Sequence, residues 1–133
     1  MILLDTSVVI ELIERGAGYA VCMERLEQYE PRQIHVSAIT IFEFEAGLFD
    51  GSPNIRQRRA MWQRFQGLIT YELVTDSIAS GGAGIVRATA KAGKQIGALD
   101  ALIAATALEW DFTLATRDSD YDRVKGLRVE HWR

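Results

Sequence analysis

Short apolar runs alternate along the chain with longer stretches whose apolar residues recur at helical spacing. The run at residues 2–4 ends in Asp5, Thr6 and Ser7, residue types that cap helix N-termini, so a strand followed at once by a helix through Val8, Ile10 and Ile13 is expected. Gly16, Ala17 and Gly18 interrupt that helix. A second amphipathic stretch covers residues 19–29, with Val21, Leu26 and Tyr29 as core positions, and Pro31 marks its end. Residues 34–37 begin the pattern again with a strand, an apolar helix over 38–49 and the turn-forming Asp50, Gly51, Ser52 and Pro53.

Arg56, Arg58, Arg59 and Arg64, interleaved with Met61, Trp62 and Phe65, predict an amphipathic helix over residues 54–67, the aromatics serving its core face. A third strand is expected at 71–74, with Asp76 or Ser77 capping a helix that runs to about Lys94 despite Gly81 and Gly82 near its start. Residues 98–110 form the most apolar helix of the chain. A fourth strand at 113–116, a polar loop over 117–122 and a last strand within 127–132 complete the pattern. Strands alternating with helices predict an α/β fold, a three-layer α/β/α sandwich with a mainly parallel central sheet of four to five strands.

With 133 residues, 48% hydrophobic and 25% charged, the chain fits one domain, 1–133, of ordinary globular composition. Its single cysteine, Cys22, excludes an internal disulfide and a Cys-rich zinc site, and fits a small core residue. No run approaches the length of a membrane span, and the first residues lack a basic leader, so no membrane contact and a cytoplasmic location are expected. A net charge of −3 argues against broad, non-specific nucleic-acid binding but leaves room for a local basic track.

Four acids stand at the ends of separate elements: Asp5, Glu43, Asp100 and Asp118. Each has a structural explanation of its own. Asp5 suits a helix N-cap, worth about 1 kcal/mol, although it also lies at a strand's carboxyl end, where open α/β sheets bind ligands. Glu43 follows Thr40 by three residues, the capping-box spacing, and Glu45 is its local rival. Asp118 belongs to a loop with Asp120 and Asp122. Asp100 is the sharpest anomaly, because Leu99, Ala101, Leu102, Ile103, Ala104 and Ala105 surround it in a helix apolar enough to be buried. An unpaired buried charge costs several kcal/mol, roughly, so this acid needs a partner. Were the four to meet, carboxylates about 5 Å apart would repel by roughly 3 kcal/mol per pair at an effective dielectric of 20. Protonation or a divalent cation must relieve that, and all-oxygen ligation suits Mg²⁺ or Mn²⁺.

Residues 2–7, the segment from Ser37 through Thr40 and Glu43 to Gly47, residues 96–105, residues 114–118 and the tail at 126–132 together resemble the PIN-domain ribonucleases of the VapC toxin type. The likeness spans nearly the whole chain, and it is the order and spacing of these segments that carry it. It implies the PIN fold and an acidic pocket of Asp5, Glu43, Asp100 and Asp118, of which Asp5, Asp100 and Asp118 hold metal, and it selects Glu43 over Glu45. Thr6, Ser7 and Thr116 would orient the acids or metal-bound water. Many such proteins place an acid directly before an aromatic residue, here Asp120 before Tyr121, so the fourth acid stays open between Asp118 and Asp120. The segment around Gly81 to Gly84 matches no functional motif.

The resemblance implies a Mg²⁺-dependent endoribonuclease that uses metal-activated water, with Arg117 beside the acids as the first candidate for substrate contact. His35 and His131 lack metal-ligand spacing and are read as structural or exposed. It also implies a cognate antitoxin, an RNA substrate, homodimers and toxin–antitoxin hetero-oligomers. The alternative is a nuclease-inactive PIN-fold regulator that binds RNA or protein, against which the presence of all four acids argues. A phosphoacceptor receiver domain would need paired acids after the first strand and a Lys after the last core strand, where this chain has one acid and Arg117.

Overall fold

The continuous apolar runs arise because the sheet is parallel and covered on both faces. The computed structural model describes residues 1–48 and 54–133. In it β1 (Ile2–Leu4), β2 (Ile34–Ser37), β3 (Thr70–Glu72), β4 (Thr113–Thr116) and β5 (Val129–His131) form one sheet in the order β3-β2-β1-β4-β5, with every pairing parallel. Six α-helices lie among the described residues: α1 (Thr6–Glu14), α2 (Tyr19–Leu26), α3 (Ala38–Leu48), α4 (Ile55–Gln66), α5 (Asp76–Lys91) and α6 (Ala98–Trp110).

Successive residues of β1 point to opposite faces, as a strand's period of two requires. Ile2 and Leu4 join Val36, Ala115, Val9, Leu12, Cys22, Phe44, Trp62 and Trp132 in one buried cluster. Leu3 joins Leu114, Ile96, Ile103, Ala104, Tyr121 and Val124 in the other. These are the two interfaces of a three-layer α/β/α sandwich. All three β1 residues are fully buried, each contributing roughly 1.5–3 kcal/mol through removal of its side chain from water.

Gly82 explains part of the glycine-rich start of α5. A Cβ there would stand 2.9 Å from Leu102 Cδ2, so its absence lets α5 pack closely on α6. The helix is continuous through both glycines, and Thr75, rather than Asp76 or Ser77, caps it by accepting a hydrogen bond from Ile78 N at 3.2 Å.

The departures from expectation lie at element ends. The third strand covers Thr70–Glu72 rather than 71–74, because its pairing with β2 stops at Ser37, where α3 begins; Leu73 beyond it is exposed. The second helix stops at Leu26, α5 at Lys91, and the last strand is confined to Val129–His131. The expected loop at 117–122 contains a 3₁₀ segment, Ser119–Arg123. Phe49 and the turn at 50–53 lie outside the described residues.

Going from β1 through β2 to β3 the chain builds one side of the sheet, and β4 and β5 build the other. The strand order therefore reverses between β1 and β4. Ligands of open α/β sheets bind at the carboxyl ends of strands at such a point, and Asp5 and Asp118 follow those two strands.

Candidate active site

Asp5 is 4% exposed, and its carboxylate makes no capping bond to α1; its backbone carbonyl takes that place, accepting from Val8 N and Val9 N. The side chain is left to the site. Its Oδ2 accepts from Ser7 Oγ at 2.7 Å and Thr116 Oγ1 at 2.8 Å, and its Oδ1 accepts from the Tyr121 hydroxyl at 2.8 Å. Ser7 Oγ in turn accepts from Arg117 N and Thr116 Oγ1 accepts from Asp118 N, each at 3.0 Å. Two hydroxyls thus tie the end of β4 to the carboxylate that follows β1, with three of its four or so lone-pair sites in use.

Thr40 lies inside α3, so it forms no capping box with Glu43. Instead Thr6 Oγ1 donates to Glu43 Oε1 at 2.7 Å and stands 2.9 Å from Thr40 Oγ1. A carboxylate has no proton to offer, so Thr6 gives its own to Glu43 and accepts from Thr40. Glu45 points elsewhere and accepts from Trp62 Nε1 of α4 at 3.1 Å. Two positions on a helix differ by about 200°, which is why acids so close in sequence face different neighbours.

Asp100 sits in the first turn of α6. Its carboxyl is raised from 3.8 to about 6, first by burial and then by the charges of Asp5, Glu43 and Asp118, with the Tyr121 hydroxyl opposing the rise. Asp5, Glu43 and Asp118 thus all lie within electrostatic reach of Asp100. The Tyr121 hydroxyl is 3.1 Å from Asp100 Oδ1. Burial, and then the Asp5 and Asp100 charges, hold the phenol far above its usual range, so it remains a protonated donor.

Asp118 opens the 3₁₀ segment, and its Oδ1 accepts from Asp120 N at 2.8 Å, leaving Oδ2 available. Asp120 pairs with Arg123 at 3.1 Å and is not among the charges that act on Asp100. Asp118 is among those charges.

Comparison with known proteins gives the family of the chain. Residues 2–127 match the model of the PIN domain, and the chain is 33% identical to the VapC ribonuclease Y4jK of Sinorhizobium fredii across 97% of this chain and 95% of that protein. The chain belongs to the PIN-domain family. Among solved structures it is similar to VapBC-1 from nontypeable Haemophilus influenzae, with a TM-score of 0.81 and 26% identity over 99% of this chain and 98% of the other. It is also similar to VapBC-5 of Mycobacterium tuberculosis, described as a member of the VapBC family of toxin-antitoxin systems, with a TM-score of 0.70 and 26% identity over 97% and 94% of the two chains.

Among the described residues of this PIN domain, no three His, Cys, Asp or Glu side chains are already drawn into a ligating set. The donor chemistry nevertheless fits a hard cation. Among the described residues, Asp100 has only the Tyr121 hydroxyl as a hydrogen-bond partner and Asp118 and Glu43 each keep one oxygen without a partner, while burial and then the neighbouring charges already raise Asp100. Mg²⁺ commonly takes one or two carboxylates together with waters and substrate phosphate, so a closed protein cage is not required.

Arg117 departs from expectation. Its backbone N–H serves the site, but its guanidinium donates to Trp132 O at 2.8 Å and lies 3.7 Å from Glu11. Gly18 makes room for it, since a Cβ there would fall 2.1 Å from Nη1. The side chain thus joins the C-terminal segment to α1 and α2 rather than reaching toward the acids. His35 is buried against Glu72 and Phe112, and His131 pairs with Asp122. Sequence reading missed Tyr121, whose only signal was an aromatic residue beside an acidic loop.

Proposed function

We propose that this PIN domain is the toxin of a toxin–antitoxin pair, a Mg²⁺-dependent endoribonuclease of the VapC type. The observation that carries this reading is the gathering of carboxylates from separate elements around Asp100, which burial first, and then the charges of Asp5, Glu43 and Asp118, raise to about 6. The relative named a VapC ribonuclease supports RNA as substrate, and the VapBC likeness supports an antitoxin partner with hetero-oligomer formation.

Asp5, Asp100 and Asp118 would hold Mg²⁺ or Mn²⁺. Once bound, the cation supplies a lowered pKa for the attacking water and offsets charge on the phosphodiester. Ser7 and Thr116 hold the Asp5 carboxylate in place. Thr6 holds one oxygen of Glu43 and leaves the other to orient the water or take up its proton. No nucleophilic side chain is needed.

The test is cleavage of a panel of structured RNAs by the full chain freed of antitoxin, in Mg²⁺ and in EDTA. Cleavage should require the cation and be lost in Asp5→Asn. A wild-type chain that cuts no RNA, or an Asp5→Asn chain that cuts undiminished, refutes the nuclease.

A further inference from the structure

Tyr121 is fully buried in the cluster that holds Leu3, Ile96, Ile103 and Val124, yet it carries a hydroxyl that core packing does not use. A ring without the hydroxyl would fill the same space and avoid the cost of burying a polar group. The hydroxyl ends between two acids, 2.8 Å from Asp5 Oδ1 and 3.1 Å from Asp100 Oδ1.

Its importance for the two acids is unequal. Asp5 is held independently by Ser7 and Thr116. Asp100 has the Tyr121 hydroxyl as its only hydrogen-bond partner among the described residues. Since Tyr121 is fully buried and Asp100 is half-buried, the hydroxyl meets the carboxylates from the core side. Asp100 Oδ2, which no hydrogen bond engages among the described residues, remains for a ligand arriving from solvent, while Asp5 keeps about one lone-pair site.

We infer that Tyr121 is a positioning residue, whose hydroxyl fixes Asp100 relative to Asp5 and so prepares the pair to bind a divalent cation. This rests on the metal-dependent reading above. Partners that orient metal ligands typically contribute about 10–100-fold to affinity, and removal of this one frees Asp100 while leaving Asp5 tied.

The experiment measures Mn²⁺ affinity of the full chain at neutral pH by calorimetry for wild type, Tyr121→Phe and Val124→Ala. The last alters the same cluster without touching an acid. Tyr121→Phe should weaken Mn²⁺ binding about tenfold or more, whereas Val124→Ala should lower the melting temperature and leave Mn²⁺ affinity within about twofold. Equal or tighter binding by folded Tyr121→Phe overturns the inference, and equal weakening in both variants reduces it to a packing effect and overturns it too. Wild type that binds no Mn²⁺ defeats the metal-dependent reading itself, which separates the two failures. A second measurement needs no variant to fold: in wild type labelled with ¹³C at tyrosine Cζ, Mg²⁺ should move the Tyr121 resonance and leave those of Tyr19, Tyr29 and Tyr71 in place. An unmoved Tyr121 resonance in protein that binds Mn²⁺ likewise overturns it.

Discussion

Replacing Asp100 by Asn should make the cation-free protein more stable while depriving it of its response to cations. The Asp100 carboxyl is raised from 3.8 to about 6 by burial and by Asp5, Glu43 and Asp118. At about 1.36 kcal/mol per pKa unit this corresponds to roughly 3 kcal/mol, and because the group is half-buried, solvent screening reduces it to about 1.5 kcal/mol. Between pH of about 4 and about 6 the folded chain holds a proton that the unfolded chain has released. The wild type therefore loses stability from this group as pH rises through that window and carries the full penalty above it. Asparagine keeps the shape and removes the charge. For a chain of 133 residues the gain amounts to roughly 5 °C in melting temperature. Thermal unfolding followed by circular dichroism in EDTA should show that gain at pH 7.5, mostly closed at pH 4, and addition of Mg²⁺ should raise the wild type much more than the variant. An Asp100→Asn protein no more stable than wild type at pH 7.5, or a gain independent of pH, would refute the argument that burial and the neighbouring acids penalise the Asp100 charge.

The two neighbouring glutamates should separate cleanly. Glu43→Gln should cut RNA cleavage by about 10²-fold or more with little change in stability, while Glu45→Gln should leave the specific activity intact and cost about 1 kcal/mol through the Trp62 contact, as single-turnover assays and urea titration would show. Arg117→Ala should lower stability by about 1–3 kcal/mol, because the Trp132 carbonyl loses a charged donor, and leave the KM for RNA unchanged; a raised KM at unchanged stability would instead identify a substrate contact.

Much of this was legible without coordinates. The segments at β1 and β4 read as strands of a parallel sheet covered on both faces, and the apolar setting of Asp100 left that carboxylate without an evident structural purpose. The boundaries were less legible, since β3 ends where its partner strand turns into a helix and not where its own apolar residues stop. Capping spacing was misleading at Thr40 and Glu43, because Thr40 lies within the helix and bonds sideways to Thr6.

By itself the sequence determined the alternation of strands and helices and the placement of Asp5, Glu43, Asp100 and Asp118 on separate elements, because burial and backbone periodicity act locally along the chain. Tertiary structure decided which neighbours each side chain met. Glu43 turned to Thr6 and Glu45 to Trp62; Asp118 approached Asp100 while Asp120 paired with Arg123; Arg117 was drawn to Trp132; and Tyr121 delivered its hydroxyl between two acids from beneath. These are contacts between residues up to 116 positions apart, and the strand order that brings the ends of β1 and β4 side by side creates them.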